Sequence, residues 1–184
     1  MNKNIELEYK VLVTKEQFEA LYKHFNEPSF RTQVNVYYDT LDMAIRKTRG
    51  SMRIRDLYDC HIFTFKMGSQ LGLLEFEKDV PTNSLESLED EEIQNLLARY
   101  HFSGPFKQLT KLKTQRAIVN TGNAELCFDI SEYNGKTDYE IEYEYIKDHD
   151  GLHDFQAILD YIHVTYTHNC SAKIVRALAS LQEQ

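Results

Sequence analysis

Apolar and polar residues alternate with a period of two over much of this chain, the signature of strands with one buried face. In the first such run Glu6, Glu8 and Lys10 fall on one side, and Ile5, Leu7, Tyr9, Val11 and Val13 on the other. The alternation predicts eight strands, at 5–13, 33–39, 51–58, 61–67, 72–80, 109–119, 124–131 and 138–145, enough to close a small barrel. A helical period takes over at 15–25, 87–100, 153–162 and 171–182. Thr14 with Gln17 three residues on is a capping-box signature for the first helix. Asn134-Gly135 is a strong hairpin signal, read here as part of a loop of several residues. Met67-Gly68-Ser69-Gln70 is a second candidate turn, and Ser103-Gly104-Pro105 ends the middle helix. With no linker and no solenoid-length repeat, residues 1–184 read as one α+β domain, two strand-rich halves joined by the middle helix.

The polar faces of these strands carry charge sorted by type. Arg53 and Arg55 stand opposite Met52 and Ile54; Glu75 and Glu77 opposite Leu74, Phe76 and Val80; Glu125 and Asp129 opposite Leu126, Phe128 and Ile130; Glu140, Glu142 and Glu144 opposite Ile141, Tyr143 and Tyr145. Like charges at i and i+2 lie about 7 Å apart and repel, whereas a merely solvating face would mix signs. If the amphipathic helices cover the apolar faces from outside, the charged faces point inward, and an interior lined by acids and bases suits a polyanion with a metal.

Composition narrows the classes. The net charge of −8 argues against a general nucleic-acid binder, whose footprint is a broad basic face, but leaves room for a small basic pocket. Cys60, Cys127 and Cys170 form no CxxC pair and read as reduced thiols. No stretch is long and apolar enough to span a membrane, and the N-terminus shows no signal segment, so a cytoplasmic protein is expected. Monomer and homodimer both stay open.

Several motifs together resemble the CYTH superfamily of triphosphate tunnel metalloenzymes. Glu6-Leu7-Glu8-Tyr9-Lys10 is similar to the Glu-x-Glu-x-Lys signature of the family's first strand. Tyr37-Tyr38-Asp39-Thr40, Met52-Arg53-Ile54-Arg55, Thr64-Phe65-Lys66, Glu75-Phe76-Glu77, Arg116, Phe128-Asp129 with Tyr133 and Gly135, the run from Tyr139 to Glu144, and Ser171-Ala172-Lys173 follow in the family's order. The resemblance implies an eight-stranded antiparallel barrel with a charged interior and helices outside, acting on a small-molecule triphosphate with Mg2+ or Mn2+.

By motif position, Lys10, Arg53, Arg55, Lys66, Arg116 and Lys173 are expected to bind the triphosphate, arginines by forked contacts and lysines as point charges. Lys113 has the opposite parity to Arg116 and is set aside. Glu6, Glu8, Asp129, Glu140 and Glu142 match the metal-ligand positions, with Glu75 and Glu144 as outer groups; carboxylate oxygens suit these hard cations. Glu6, Glu77 and Lys10 are the catalytic candidates. The implied activity is metal-dependent triphosphate hydrolysis; a class IV adenylyl cyclase or a non-catalytic triphosphate sensor would use the same positions. His149 and His153 with Asp148, Asp150 and Asp154 form no HExxH arrangement, and no nucleophile triad, P-loop or dinucleotide fingerprint is present.

Overall fold

The computed structural model describes residues 1–69 and 72–182; Gln70, at the end of one expected turn, lies outside them. Among the described residues the elements are β1 (Asn2–Glu6), β2 (Glu8–Val13), α1 (Lys15–His24), β3 (Arg31–Thr40), α2 (Ala44–Lys47), β4 (Ser51–Leu57), β5 (Cys60–Ser69), β6 (Gly72–Val80), α3 (Glu91–Arg99), β7 (Phe106–Asn120), β8 (Ala124–Tyr133), β9 (Lys136–Tyr145), α4 (Gly151–Asp160) and α5 (Lys173–Ser180). The expected α+β class with antiparallel strands is found, but with nine strands. The run at 5–13 breaks at Leu7: Glu6 pairs with Leu73 of β6, whereas Glu8 pairs with Glu144 of β9. Alternation continues across such a change of partner, so it is silent in the sequence.

Other boundaries shift for local reasons. A 3-10 segment, Leu85–Glu89, precedes α3, which starts afresh where Asp90 accepts hydrogen bonds from the Glu92 and Ile93 amides. Asn134 and Gly135 form a two-residue turn with φ of 47° and 77°, the left-handed pair of a tight hairpin, so β8 and β9 both run closer to the turn than expected. α4 begins at Gly151 because Asp150 accepts from the His153 amide. The capping box of Thr14 and Gln17 is present.

The chain divides into two compact units. The first comprises Met1–Glu6, Gln33–Leu112 and the described residues from Ala177 on; the second comprises Leu7–Thr32 and Lys113–Arg176. Hydrogen-bonded neighbours run β1-β6-β5-β4-β3-β7 and then β7-β8-β9-β2, with β7 contributing residues to both units.

In the first unit, Val36, Tyr38, Met52, Ile54, Phe63, Phe65 and Phe76 form one apolar face, packed against Ile93, Leu96 and Leu97 of α3 together with Leu88 and Phe102. In the second, Ala117, Leu126, Phe128, Ile141 and Tyr143 meet Phe18 and Leu21 of α1 and Phe155 and Leu159 of α4. Each fully buried aromatic or aliphatic side chain contributes about 1.5–3 kcal/mol. In both units helices therefore cover the apolar face, and the charged residues lie on the opposite face of the strands.

Asp39 and Thr40, part of one recognised motif, have a structural task. Asp39 is buried and accepts from the amides of Thr40 at 2.7 Å, Ile45 at 3.0 Å and Arg46 at 3.0 Å, while the Thr40 hydroxyl accepts from the Ala44 amide at 2.8 Å. These contacts hold the one-turn helix α2, which the hydrophobic pattern does not reveal. Asp39→Ala removes the acceptor from buried amides and is expected to cost about 2 kcal/mol, lowering the thermal midpoint by roughly 5 °C. A melting curve that superimposes on the wild type would show that the cap is dispensable.

Candidate functional site

The second unit gathers its charged side chains through strand register. Arg116, Asp129 and Glu140 are cross-strand partners in one row over β7, β8 and β9. The next row on the same face holds Cys127, Glu142 and Lys10. Directly opposed residues bring their Cβ atoms to about 5 Å, so the acids come into contact. Asp129 and Glu140 are sealed from solvent, at 0% and 1% exposure, and Glu142 is nearly so at 6%. One carboxylate oxygen from each lies within 4.8 Å of the other two.

Cations fill the spaces between these acids. Arg116 grips Asp129 with a fork, Nε at 2.7 Å and Nη2 at 2.5 Å, and the same Nη2 donates to Glu142. Lys173, the first residue of α5, places its ammonium among all three: 2.8 Å from Asp129, 2.6 Å from Glu142 and in contact with Glu140. Lys10 pairs with Glu8 beside them. Arg176, one turn beyond Lys173, lies 2.6 Å from Glu140 and donates to Asp138 at 2.7 Å.

Burial alone would raise both Glu140 and Glu142. For Glu142 the charges of Arg116 and Lys173 win, and hold it well below the usual carboxylate range. For Glu140 burial prevails over Lys173, and the neighbouring Glu142 adds to it, so Glu140 is pushed up to about 7. Burial disfavours the Lys10 ammonium, but Glu8 and Glu142 outweigh it and raise Lys10, which suits a fixed cation rather than a proton carrier. Cys170, 3.4 Å from Glu140, is pushed up to about 12 by burial and that carboxylate, so its thiol stays protonated.

The first unit carries a second set. Lys66 contacts Glu6 and lies 3.2 Å from Glu75. Tyr37, Arg53, Thr64 and Glu77 form one cross-strand row, and the Thr64 hydroxyl donates to Glu77 at 3.2 Å. Arg55 donates to Asn35 at 3.0 Å. The Arg53 Nε is buried without a hydrogen-bond partner, an orphan donor of the kind that a bound oxyanion satisfies.

The donor chemistry fits a hard divalent cation. Asp129, Glu140 and Glu142 offer only oxygen, as Mg2+ and Mn2+ prefer, with no nitrogen or thiolate among them to favour zinc.

A family model described as the CYTH domain matches residues 4–169. The chain belongs to the CYTH domain family. YjbK of Bacillus subtilis, named as a candidate triphosphatase, is 30% identical over 175 residues, which cover 86% of this chain and 87% of YjbK. A crystal structure of a candidate adenylate cyclase from Bacillus halodurans is 30% identical, with a TM-score of 0.87 over 96% of this chain and 98% of that one. A candidate adenylyl cyclase from Hippeastrum, described as having a dominant triphosphatase activity, shares the fold at 19% identity, with a TM-score of 0.75 over 95% of each chain.

Within this CYTH domain the motif residues fall into the two units. Lys10, Arg116, Asp129, Glu140, Glu142 and Lys173 meet in the second, with Glu8 beside Lys10 and Glu144 opposite Glu8 on β9. Glu6, Arg53, Arg55, Lys66, Glu75 and Glu77 belong to the first. The sequence reading missed Arg176, Asp138, Asn35 and Asn169, whose side-chain oxygen accepts from the Lys10 amide at 2.8 Å. Arg176 has a faint signal in its i+3 spacing from Lys173; the others depend on register that the sequence does not print. His149 is held by Tyr143 at 3.0 Å and the Lys147 carbonyl at 2.7 Å, which accounts for it without a metal. Among the described residues no helix is long and apolar enough to cross a membrane.

A cation bound by Glu140 needs the ionised carboxylate, and Glu140 titrates near 7. Mn2+ affinity is therefore expected to rise between pH 6 and pH 8, with protons released as the ion binds. Calorimetry in buffers of different ionisation enthalpy measures that release, and a value of zero across the range would show that Glu140 is already ionised or takes no part.

Proposed function

We propose that this CYTH domain is a metal-dependent hydrolase of triphosphate compounds, inorganic tripolyphosphate or an organic triphosphate. The observation that carries the reading is the buried cluster of the second unit. Three carboxylates fit a divalent cation, and the guanidinium and ammonium interleaved with them are what phosphate oxygens would take. Asp129, Glu140 and Glu142 would hold Mg2+ or Mn2+, with Glu8 near at hand. When bound, the metal supplies positive charge at the phosphoryl oxygens and lowers the pKa of water. Arg116, Lys10 and Lys173 orient the phosphates and neutralise charge on the leaving pyrophosphate, so rate enhancement comes from positioning and electrostatics. Motif position assigns Arg53, Arg55 and Lys66 to phosphate binding, and either Glu6 or Glu77 is the candidate to accept the proton of the attacking water.

A second reading, adenylyl cyclase, is favoured by the name of the Bacillus halodurans relative. It would use the same cations but take the ribose 3′-hydroxyl as nucleophile. Tripolyphosphate, thiamine triphosphate, ATP and triphosphate-ended RNA, each with Mg2+ or Mn2+, separate the possibilities. Phosphate release supports the hydrolase, cyclic AMP supports the cyclase, and binding without turnover makes the protein a sensor.

Glu142→Gln keeps the shape of a side chain in contact with Arg116 and Lys173 but removes its charge. It is expected to abolish metal-stimulated phosphate release while leaving the far-ultraviolet circular dichroism unchanged. Retained metal-dependent turnover would remove Glu142 from the site. Arg55→Ala is expected to weaken tripolyphosphate by about 1.5–3 kcal/mol, the worth of a charge-assisted hydrogen bond, with little change in Mn2+ affinity. Unchanged tripolyphosphate binding in calorimetry would separate the first unit's cations from this ligand.

A further inference from the structure

We propose that Arg176 is a positioning residue for Glu140: it holds one oxygen of that carboxylate so that the other is presented to the divalent cation. The inference rests on the metal-dependent reading above. Arg176 belongs to none of the motifs that place the phosphate-binding cations. It sits three residues after Lys173 on α5, hence on the same helix face, and its side chain is only 11% exposed.

Its guanidinium donates hydrogen bonds through Nε and Nη1, while Nη2 meets Glu140 as an ion pair. Nε donates to Asp138 Oδ2 at 2.7 Å, Nη2 lies 2.6 Å from Glu140 Oε2, and Nη1 reaches the Ser171 carbonyl and lies 3.7 Å from Cys170 Sγ. The two oxygens of Glu140 are thereby sorted. Oε2 faces Arg176 and the Cys170 thiol, while Oε1 faces Lys173. The terminal torsion of a free glutamate is broad and two-fold, so an unanchored Glu140 could offer either oxygen or both. A planar guanidinium fixed by Asp138 and Ser171 removes that freedom. Lys173 differs in kind, since a flexible ammonium can move from carboxylate to phosphate as ligands arrive. Arg176, with Nε and Nη1 already engaged, stays beside Glu140. A residue that only tied α5 to β9 could do so through Asp138 alone; the contact with Glu140 is additional.

The test is Mn2+ titration of the full chain, by calorimetry and by electron paramagnetic resonance of free Mn2+, with no triphosphate added. Wild type, Arg176→Gln, Arg176→Lys and Asp138→Asn are compared, each with a metal-free melting curve. Residues that orient metal ligands typically carry a 10–100-fold effect, so Arg176→Gln is expected to weaken Mn2+ by about that factor, while Asp138→Asn stays within about threefold. Arg176→Lys, which keeps the charge but loses the fork, is expected to fall between them. Equal affinity in Arg176→Gln and wild type overturns the proposal. So does an equal loss in Asp138→Asn, which would show that Arg176 merely anchors the helix. Should Arg176→Gln fail to fold, Arg176→Lys decides, because it must bind Mn2+ more weakly than Asp138→Asn. A wild type that takes up no Mn2+ would overturn the metal reading itself, and this inference with it.

Discussion

Three carboxylates crowded onto one sheet face, out of reach of water, are the constraint around which the second unit is built. Cross-strand register puts Asp129 directly opposite Glu140, and Glu142 follows two residues later on the same face. Unpaired, such a group would repel itself and lose hydration worth several kcal/mol per ion. The fold offsets this with Arg116 from β7 and with Lys173 and Arg176 from α5. Removing one partner of a buried ion pair typically costs about 3–5 kcal/mol, so the start of α5 is bound to the sheet by charge.

The same interleaving bears on chemistry. With both signs present in similar number, the cluster is close to neutral, and a divalent cation must compete with Lys173 and Arg116 for the carboxylates. On the proposed reading, a triphosphate would reverse that competition by taking the cations and leaving the acids to the metal. Burial strengthens each of these interactions by excluding water. The divergent behaviour of Glu140 and Glu142, one raised and the other depressed, follows from their unequal shares of positive charge. Environments that push like groups apart in this way are common at sites of function.

Both units solve one packing problem alike. Helices cover the apolar face of the strands, α3 in the first unit and α1 with α4 in the second. That leaves the opposite face free to carry charge, and each unit pairs acids with bases there.

The sequence by itself determined the strand alternation, the helices that cover its apolar side and the identity of most charged residues in both clusters, because side-chain parity within a strand is a local property. Motif order added the family. It could not show the break at Leu7, since alternation does not change when a strand changes partner, nor α2, whose single turn depends on buried acceptors at Asp39 and Thr40. It could not assign Lys173 to Asp129, Glu140 and Glu142 together, because those contacts span at least 31 residues of chain. Nor could it show why Glu140 and Glu142, two residues apart on one strand, titrate in opposite directions. Only tertiary structure decided those points: protonation depends on burial and on the distance to charges brought in from β7 and α5, and neither quantity is written along the chain.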